Sequence, residues 1–210
     1  MTFEKAMVIL FTKVAQTVIA ERFTHTFFDN DGNRVRKVFA YLFSVFIAIF
    51  VNLFFHKPIF NFLSIFLGLS AIALSYDGTI KRKCIFVFYI LAVSCLIDLV
   101  VSAFLIKPFG YDGYSAFVSI FALLLLHAAQ LVTERFFEND LGIELNNRYW
   151  LFIIASLLVC IITSIVIFMD KTVSSFSLSL VCGAFLLVNI IISYLMDDLV
   201  KSSQKALENQ

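Results

Sequence analysis

Asp98 has the clearest potential for chemistry in this sequence, because it interrupts a long apolar run. Ser94 and Ser102 lie four residues before and after it, which places all three side chains on one face of a helix. Inserting a carboxylate at the centre of a bilayer costs about 2.5–3.5 kcal/mol, so its presence needs a compensating role. Two roles fit: a proton- or cation-coupling site that lines a pore, or a hydrogen-bonding clamp between helices.

Two further polar pairs share a spacing of three residues. Gln16 follows Lys13, and Gln130 follows His127. Residues three apart lie on the same helix face, so each pair can line a cavity or hold two helices together through hydrogen bonds. The candidates for a transport path or pore are therefore Asp98, Ser94, Ser102, His127, Gln130, Lys13 and Gln16.

These polar residues need apolar helices to position them, and the composition supplies them. Hydrophobic residues make up 61% of the 210 residues, and charged residues make up 15%. Soluble domains carry about 45–50% apolar and about 25% charged residues, so a soluble fold is excluded. Six stretches are long enough to cross a hydrocarbon core of about 30 Å. They are 38–55, 59–76, 84–106, 114–133, 149–169 and 173–196. The predicted fold is an all-α, polytopic, integral membrane helical bundle.

Basic residues are split unevenly between the alternate loops. One set of loops holds only Lys57, Lys107 and Lys171. The other set holds Arg22, Arg34, Arg36, Lys37, Lys81, Arg82, Lys83, Arg135, Arg148, Lys201 and Lys205. Because cytoplasmic loops are enriched in Lys and Arg, the C-terminus is expected in the cytoplasm. The expected location is a bacterial inner membrane.

A shift of 114 residues aligns the two halves of the chain and predicts an internal repeat. It matches Ala15-Gln16 with Ala129-Gln130, and there are six identities among the 20 positions from 15 to 34. The repeat makes 5–22 a seventh helix, which either spans the membrane or lies at its interface. The two units would be parallel, as in some small transporters. The expected plan is a single membrane domain over 1–210, with repeat 1 at 5–76, a linker helix at 84–106, repeat 2 at 114–196 and a cytoplasmic tail at 197–210.

The polar connections 23–37 and 134–148 mix aromatic, acidic and basic residues. They are either solvated links or a docking surface for a cytoplasmic protein. The docking candidates are Phe27, Phe28, Asp31, Phe136, Phe137 and Asp140.

Other residues within the predicted spans are expected to serve packing. Single amides such as Asn52, Asn61 and Asn189 typically bridge helices, and Gly68 allows two backbones to approach closely. The cysteines have no metal-ligand spacing and are expected to behave as small apolar residues. They are Cys84, Cys95, Cys160 and Cys182.

The sequence contains no phosphate-binding glycine loop, zinc spacing or basic nucleic-acid patch. We therefore expect no enzyme activity, no cofactor, no metal site and no nucleic-acid partner. The favoured function is a small transporter or channel-like protein that moves a small solute or ion. The alternative is a non-catalytic sensor, anchor or immunity factor, as in bacterial toxin immunity or antiphage defence. Expected partners are the lipid bilayer, a second copy of the chain and, in the alternative, a cytoplasmic protein.

Overall fold

A computed structural model of the chain describes residues 3–28, 33–55, 58–111, 115–137, 157–159 and 161–163. The described residues are helical, with short connections and no strands. The helices are α1 (Phe3–Phe27), α2 (Arg34–Phe54), α3 (Pro58–Ser75), α4 (Ile80–Val101), α5 (Lys107–Phe109) and α6 (Ala116–Phe137). A π-helical segment, Ser102–Ile106, continues α4.

Three of the described helical segments are long and apolar enough to cross a membrane: Arg34–Phe54, Ile80–Ile106 and Ala116–Arg135. The segment Ile59–Ser75 within α3 is also apolar but shorter. These helices indicate an integral membrane protein. The predicted spans 149–169 and 173–196 lie outside the described residues, apart from two short helical pieces at 157–159 and 161–163.

Two helices begin earlier than the apolar pattern predicts. α2 begins at Arg34 rather than at residue 38. Asn33 is its N-cap, and the Asn33 side chain accepts a hydrogen bond from the Val35 backbone N at 3.0 Å. α4 begins at Ile80 rather than at residue 84, and Thr79 is its N-cap. The extra first turns hold the basic residues that set the predicted boundaries. Long basic side chains can extend from a helix end towards water, so charge does not mark the helix start.

One end of the bundle is defined by contacts near helix ends. Thr24, close to the end of α1, meets Tyr41 near the start of α2 and Tyr76 just after α3. Phe27 at the end of α1 contacts Phe86 in the second turn of α4, and Tyr89 one turn further along α4 meets Thr133 near the end of α6 at 2.9 Å. The ends of α1, α3 and α6 therefore lie beside the starts of α2 and α4. Consequently α1 and α6, which pack against each other, run in the same direction.

This shared direction is what a parallel repeat requires of its two opening helices. The rest of the second unit lies mostly outside the described residues, so the repeat stays a prediction.

Candidate functional site: a polar cavity between five helices

A cavity of about 110 Å³ lies where α1, α2, α3, α4 and α6 meet. Water occupies about 30 Å³ per molecule in the liquid, so the cavity has room for about three to four water molecules. Its wall contains eight polar side chains together with apolar ones. The polar residues are Lys13, Gln16, Thr17, Ser44, Asn61, Ser64, Ser94 and Asp98.

The α1 side of the cavity carries the only basic residue among these lining side chains. Lys13 and Gln16 share one face of α1, and the Lys13 ammonium donates a hydrogen bond to Gln16 Oε1 at 3.1 Å. The predicted stripe on α1 therefore faces a cavity. Lys13 also lies close enough to Asp98 for the two charges to interact.

The α4 side of the cavity carries Asp98, with Ser94 one turn before it. Asp98 is exposed, so neighbouring side chains do not enclose it. Within the part of the chain that the structure describes, it makes no hydrogen bond or direct ion pair. A clamp between helices would need such a bond, so this geometry favours a cavity-lining role for the carboxylate.

Ser102 does not join Asp98 and Ser94 on the cavity wall. Its backbone N–H still donates to the Asp98 carbonyl, so Ser102 keeps the predicted α-helical spacing from Asp98. The cavity wall on α4 therefore includes Ser94 and Asp98 but does not extend to Ser102.

The α2 and α3 wall is held together by an amide pair and a close contact. Asn52 Nδ2 donates to Asn61 Oδ1 at 2.9 Å, so these two amides bridge α2 and α3 as predicted. A Cβ atom added at Gly68 on α3 would meet the Ser44 side chain on α2, with the Ser44 Cβ only 3.1 Å away. The predicted close approach at Gly68 is thereby confirmed. Asn189 lies outside the described residues.

Aromatic and hydroxyl side chains lie towards the end of the bundle that contains Thr24, Tyr41 and Tyr76. Phe23 lines the cavity and is fully buried. Next to Phe23 on α1, the Thr24 hydroxyl forms a triangle with the hydroxyls of Tyr41 and Tyr76, with sides of 3.0–3.1 Å. We call this set the hydroxyl triangle. It connects α1, α2 and the end of α3.

His127 and Gln130 on α6 do not line the cavity, whereas Ala122 and Leu126 of the same helix do. Gln130 is 0% exposed, and its amide N and O have no hydrogen-bond partner within the described chain. His127 is half-buried. The structure thus brings together Lys13, Gln16, Ser94 and Asp98 but leaves the α6 pair outside.

Two of the docking candidates are buried rather than displayed on a surface. Phe27 is 2% and Phe28 is 4% exposed, and both rings contact Phe86, with centroids 5.6 Å and 5.2 Å apart. They are therefore unavailable to a partner in this structure. The remaining candidates fall elsewhere: Asp31 and Asp140 lie outside the described residues, as do the side chains of Phe136 and Phe137.

The contribution of α2 and α3 to the cavity was not predicted from the sequence. Ser44 and Ala48 are four residues apart on α2, and Asn61 and Ser64 are three apart on α3. Small and polar residues at these spacings form one helix face, and this pattern was the available signal. Thr17 on α1 was also missed.

Among the described residues, no group of His, Cys, Asp and Glu side chains is arranged to hold a metal ion. Comparison of the chain with family models, curated proteins and solved structures found no match. Function must therefore be inferred from the chemistry of the cavity.

Proposed function

We propose that this chain is a small membrane transporter or channel-like protein, and that a small ion or solute passes through the cavity between Lys13 and Asp98. One observation carries the proposal. Two oppositely charged side chains, Lys13 and Asp98, line a cavity of about 110 Å³ between the helices without a direct ion pair among the described contacts.

The energetics argue against a purely structural role for these charges. Each ionisable group within a membrane costs several kcal/mol unless it is paired or solvated. A structural pair would lower that cost by direct contact. Here the Lys13 ammonium bonds Gln16 instead, and Asp98 is exposed. Charges left available in this way can bind a passing ligand.

Buried side chains at one end of the bundle support a gated path rather than an open pore. Phe23 lines the cavity and is fully buried, and the hydroxyl triangle begins at the next residue of α1, Thr24. Basic residues cluster at the same end, so the positive-inside rule would place it in the cytoplasm. Passage would then require this end to open.

The test measures flux in vesicles containing the purified protein. Three probes cover the ion and solute alternatives: protons followed with a trapped pH dye, chloride, and radiolabelled glycine. Wild-type protein should move at least one of them faster than protein-free vesicles do. Asp98→Asn keeps the shape of the side chain but removes its charge, and it should reduce that flux to the level of protein-free vesicles.

Glu21→Gln is the matched control, because Glu21 is an exposed acid on α1 that does not line the cavity. It should retain wild-type flux. Size-exclusion chromatography checks assembly of each variant. Full flux in Asp98→Asn would refute the proposal, and so would the absence of flux of all three probes through wild-type protein. An Asp98→Asn protein that no longer assembles would instead identify Asp98 as a structural clamp.

A further inference from the structure

The orientation of two amide side chains determines which polar groups the cavity offers to a ligand. Gln16 receives a hydrogen bond from the Lys13 ammonium. An ammonium group only donates, so the receiving atom must be the amide oxygen. The Gln16 NH₂ group is therefore a donor without a partner among the described residues.

The orientation of Asn61 follows from its neighbour on α2. Asn52 Nδ2 donates to the backbone carbonyl of Ala48 at 2.8 Å, and a carbonyl only accepts. This contact identifies the NH₂ group of Asn52, which also donates to Asn61. The receiving atom of Asn61 must then be its oxygen. The NH₂ group of Asn61, a residue of the cavity wall, is left as a donor.

Acceptors come from other groups on the wall. The Thr17 hydroxyl donates to the Lys13 carbonyl at 2.9 Å, and the Ser64 hydroxyl donates to the Asn61 carbonyl at 2.7 Å. Because a hydroxyl has one proton to donate, these two oxygens offer only lone pairs to the cavity. Asp98 adds a carboxylate from α4.

We propose that the cavity binds a small zwitterion that carries one carboxylate and one ammonium group, as glycine does. The ligand carboxylate would accept from Lys13, Gln16 and Asn61, and its ammonium group would donate to Asp98. The inference rests on the proposed function, because it names the substrate class for the same cavity.

Charge and size both favour this class over simple ions. A lone anion at the donor groups would be repelled by Asp98, and a lone cation at Asp98 would be repelled by Lys13. A zwitterion satisfies both charges and leaves the net charge of the cavity unchanged. The volume of about 110 Å³ is well below the 300–1,000 Å³ typical of pockets for drug-sized ligands, which favours a small zwitterion.

Equilibrium binding of radiolabelled glycine to the detergent-purified, full-length protein tests this inference. Glycine should bind saturably and should be displaced by unlabelled glycine. Acetate and methylamine at the same concentration should not displace it, because each lacks one of the two charges. Gln16→Glu keeps the side-chain shape and the acceptor for Lys13 but replaces the free donor by a charged oxygen. It and Asp98→Asn should each weaken binding by at least about tenfold.

Glu21→Gln serves again as the control and should bind glycine as wild type does. The inference is overturned if monodisperse wild-type protein binds no glycine. It is also overturned if acetate displaces glycine equally well, which would indicate an anion site, or if methylamine does so, which would indicate a cation site. The proposed function can fail separately. Glycine binding without flux would support the ligand class and refute transport. Proton or chloride flux without glycine binding would support transport and refute the ligand class.

Discussion

At the scale of single residues, Gly68 controls how closely α2 and α3 approach. A Cβ atom at this position would collide with the Ser44 side-chain oxygen and lie 3.1 Å from Ser44 Cβ. Rotating the Ser44 hydroxyl cannot relieve the second contact, because Cβ does not move with side-chain rotation. Gly68→Ala should therefore push the two helices apart.

The expected cost of Gly68→Ala is about 1–3 kcal/mol of unfolding free energy, which is typical of overpacking. Unfolding in detergent, followed by circular dichroism, measures it. In the double variant Gly68→Ala/Ser44→Gly, only the Cα of residue 44, 3.3 Å from the added Cβ, remains in close contact, so the added cost of Gly68→Ala should fall. Equal costs in the presence and absence of Ser44 would show that the contact does not limit the packing.

Residue identity predicted part of the site for a simple reason: charged and amide groups are rare in apolar spans. Lys13, Gln16 and Asp98 stand out for that reason, and the structure brings them to one cavity. Hydroxyl residues are common in membrane helices, so Ser44 and Ser64 did not stand out. Gln130 aligns with Gln16 in the predicted repeat, yet it is fully buried and lies outside the cavity. Which face of α6 points to the cavity depends on how the helices pack, and the repeat does not reveal this.

At the scale of helices, the hydroxyl triangle connects α1, α2 and the end of α3 through the Thr24 hydroxyl. Thr24 is fully buried and also donates to the Glu21 carbonyl at 2.6 Å. Tyr76→Phe removes one corner while keeping the ring, which stacks on Phe28 with centroids 5.4 Å apart. The loss should be about 0.5–1.5 kcal/mol of unfolding free energy, the net contribution of a typical hydrogen bond.

A second substitution distinguishes the triangle from isolated bonds. Tyr41 and Tyr76 share a hydrogen bond of 3.1 Å, so Tyr41→Phe should cost less when Tyr76 is already Phe. The same unfolding measurement gives both values. Tyr111→Phe is the control, because Tyr111 is 43% exposed and should leave stability unchanged. Strictly additive costs for Tyr41 and Tyr76 would argue against a shared network.

Helix positions were predictable because apolar length is a strong signal, and the four helices α2, α3, α4 and α6 begin within about a turn of the expected residues. The burial of the aromatic residues at the end of α1 was not predictable from the sequence. Phe27 and Phe28 sit among charged residues in the sequence, which suggests an exposed link. The structure buries both against Phe86 because α1 continues to Phe27 and carries them into the bundle.

At the scale of the whole molecule, we predict that α1 spans the membrane rather than lying at its interface. α1 has 25 residues and is about 37 Å long, which exceeds the hydrocarbon core. It packs beside α6, α2 and α4, and its polar pair Lys13 and Gln16 faces the cavity. The outer side is an apolar stripe suited to lipid, formed by Met7, Leu10, Phe11, Val14 and Val18.

If α1 spans the membrane, the two ends of the chain lie on opposite sides of it. In a variant whose native cysteines are replaced by alanine, a cysteine at Thr2 should react with an impermeant maleimide added to intact cells. A cysteine at Ser203 in the C-terminal tail should react only after the cells are opened, because basic loops favour a cytoplasmic tail. The second position is the control for cell integrity. Protection of Thr2→Cys until the cells are opened would leave α1 at the cytoplasmic interface. The cavity would then lack a membrane-embedded α1 wall, since Lys13 and Gln16 would sit outside the hydrocarbon core.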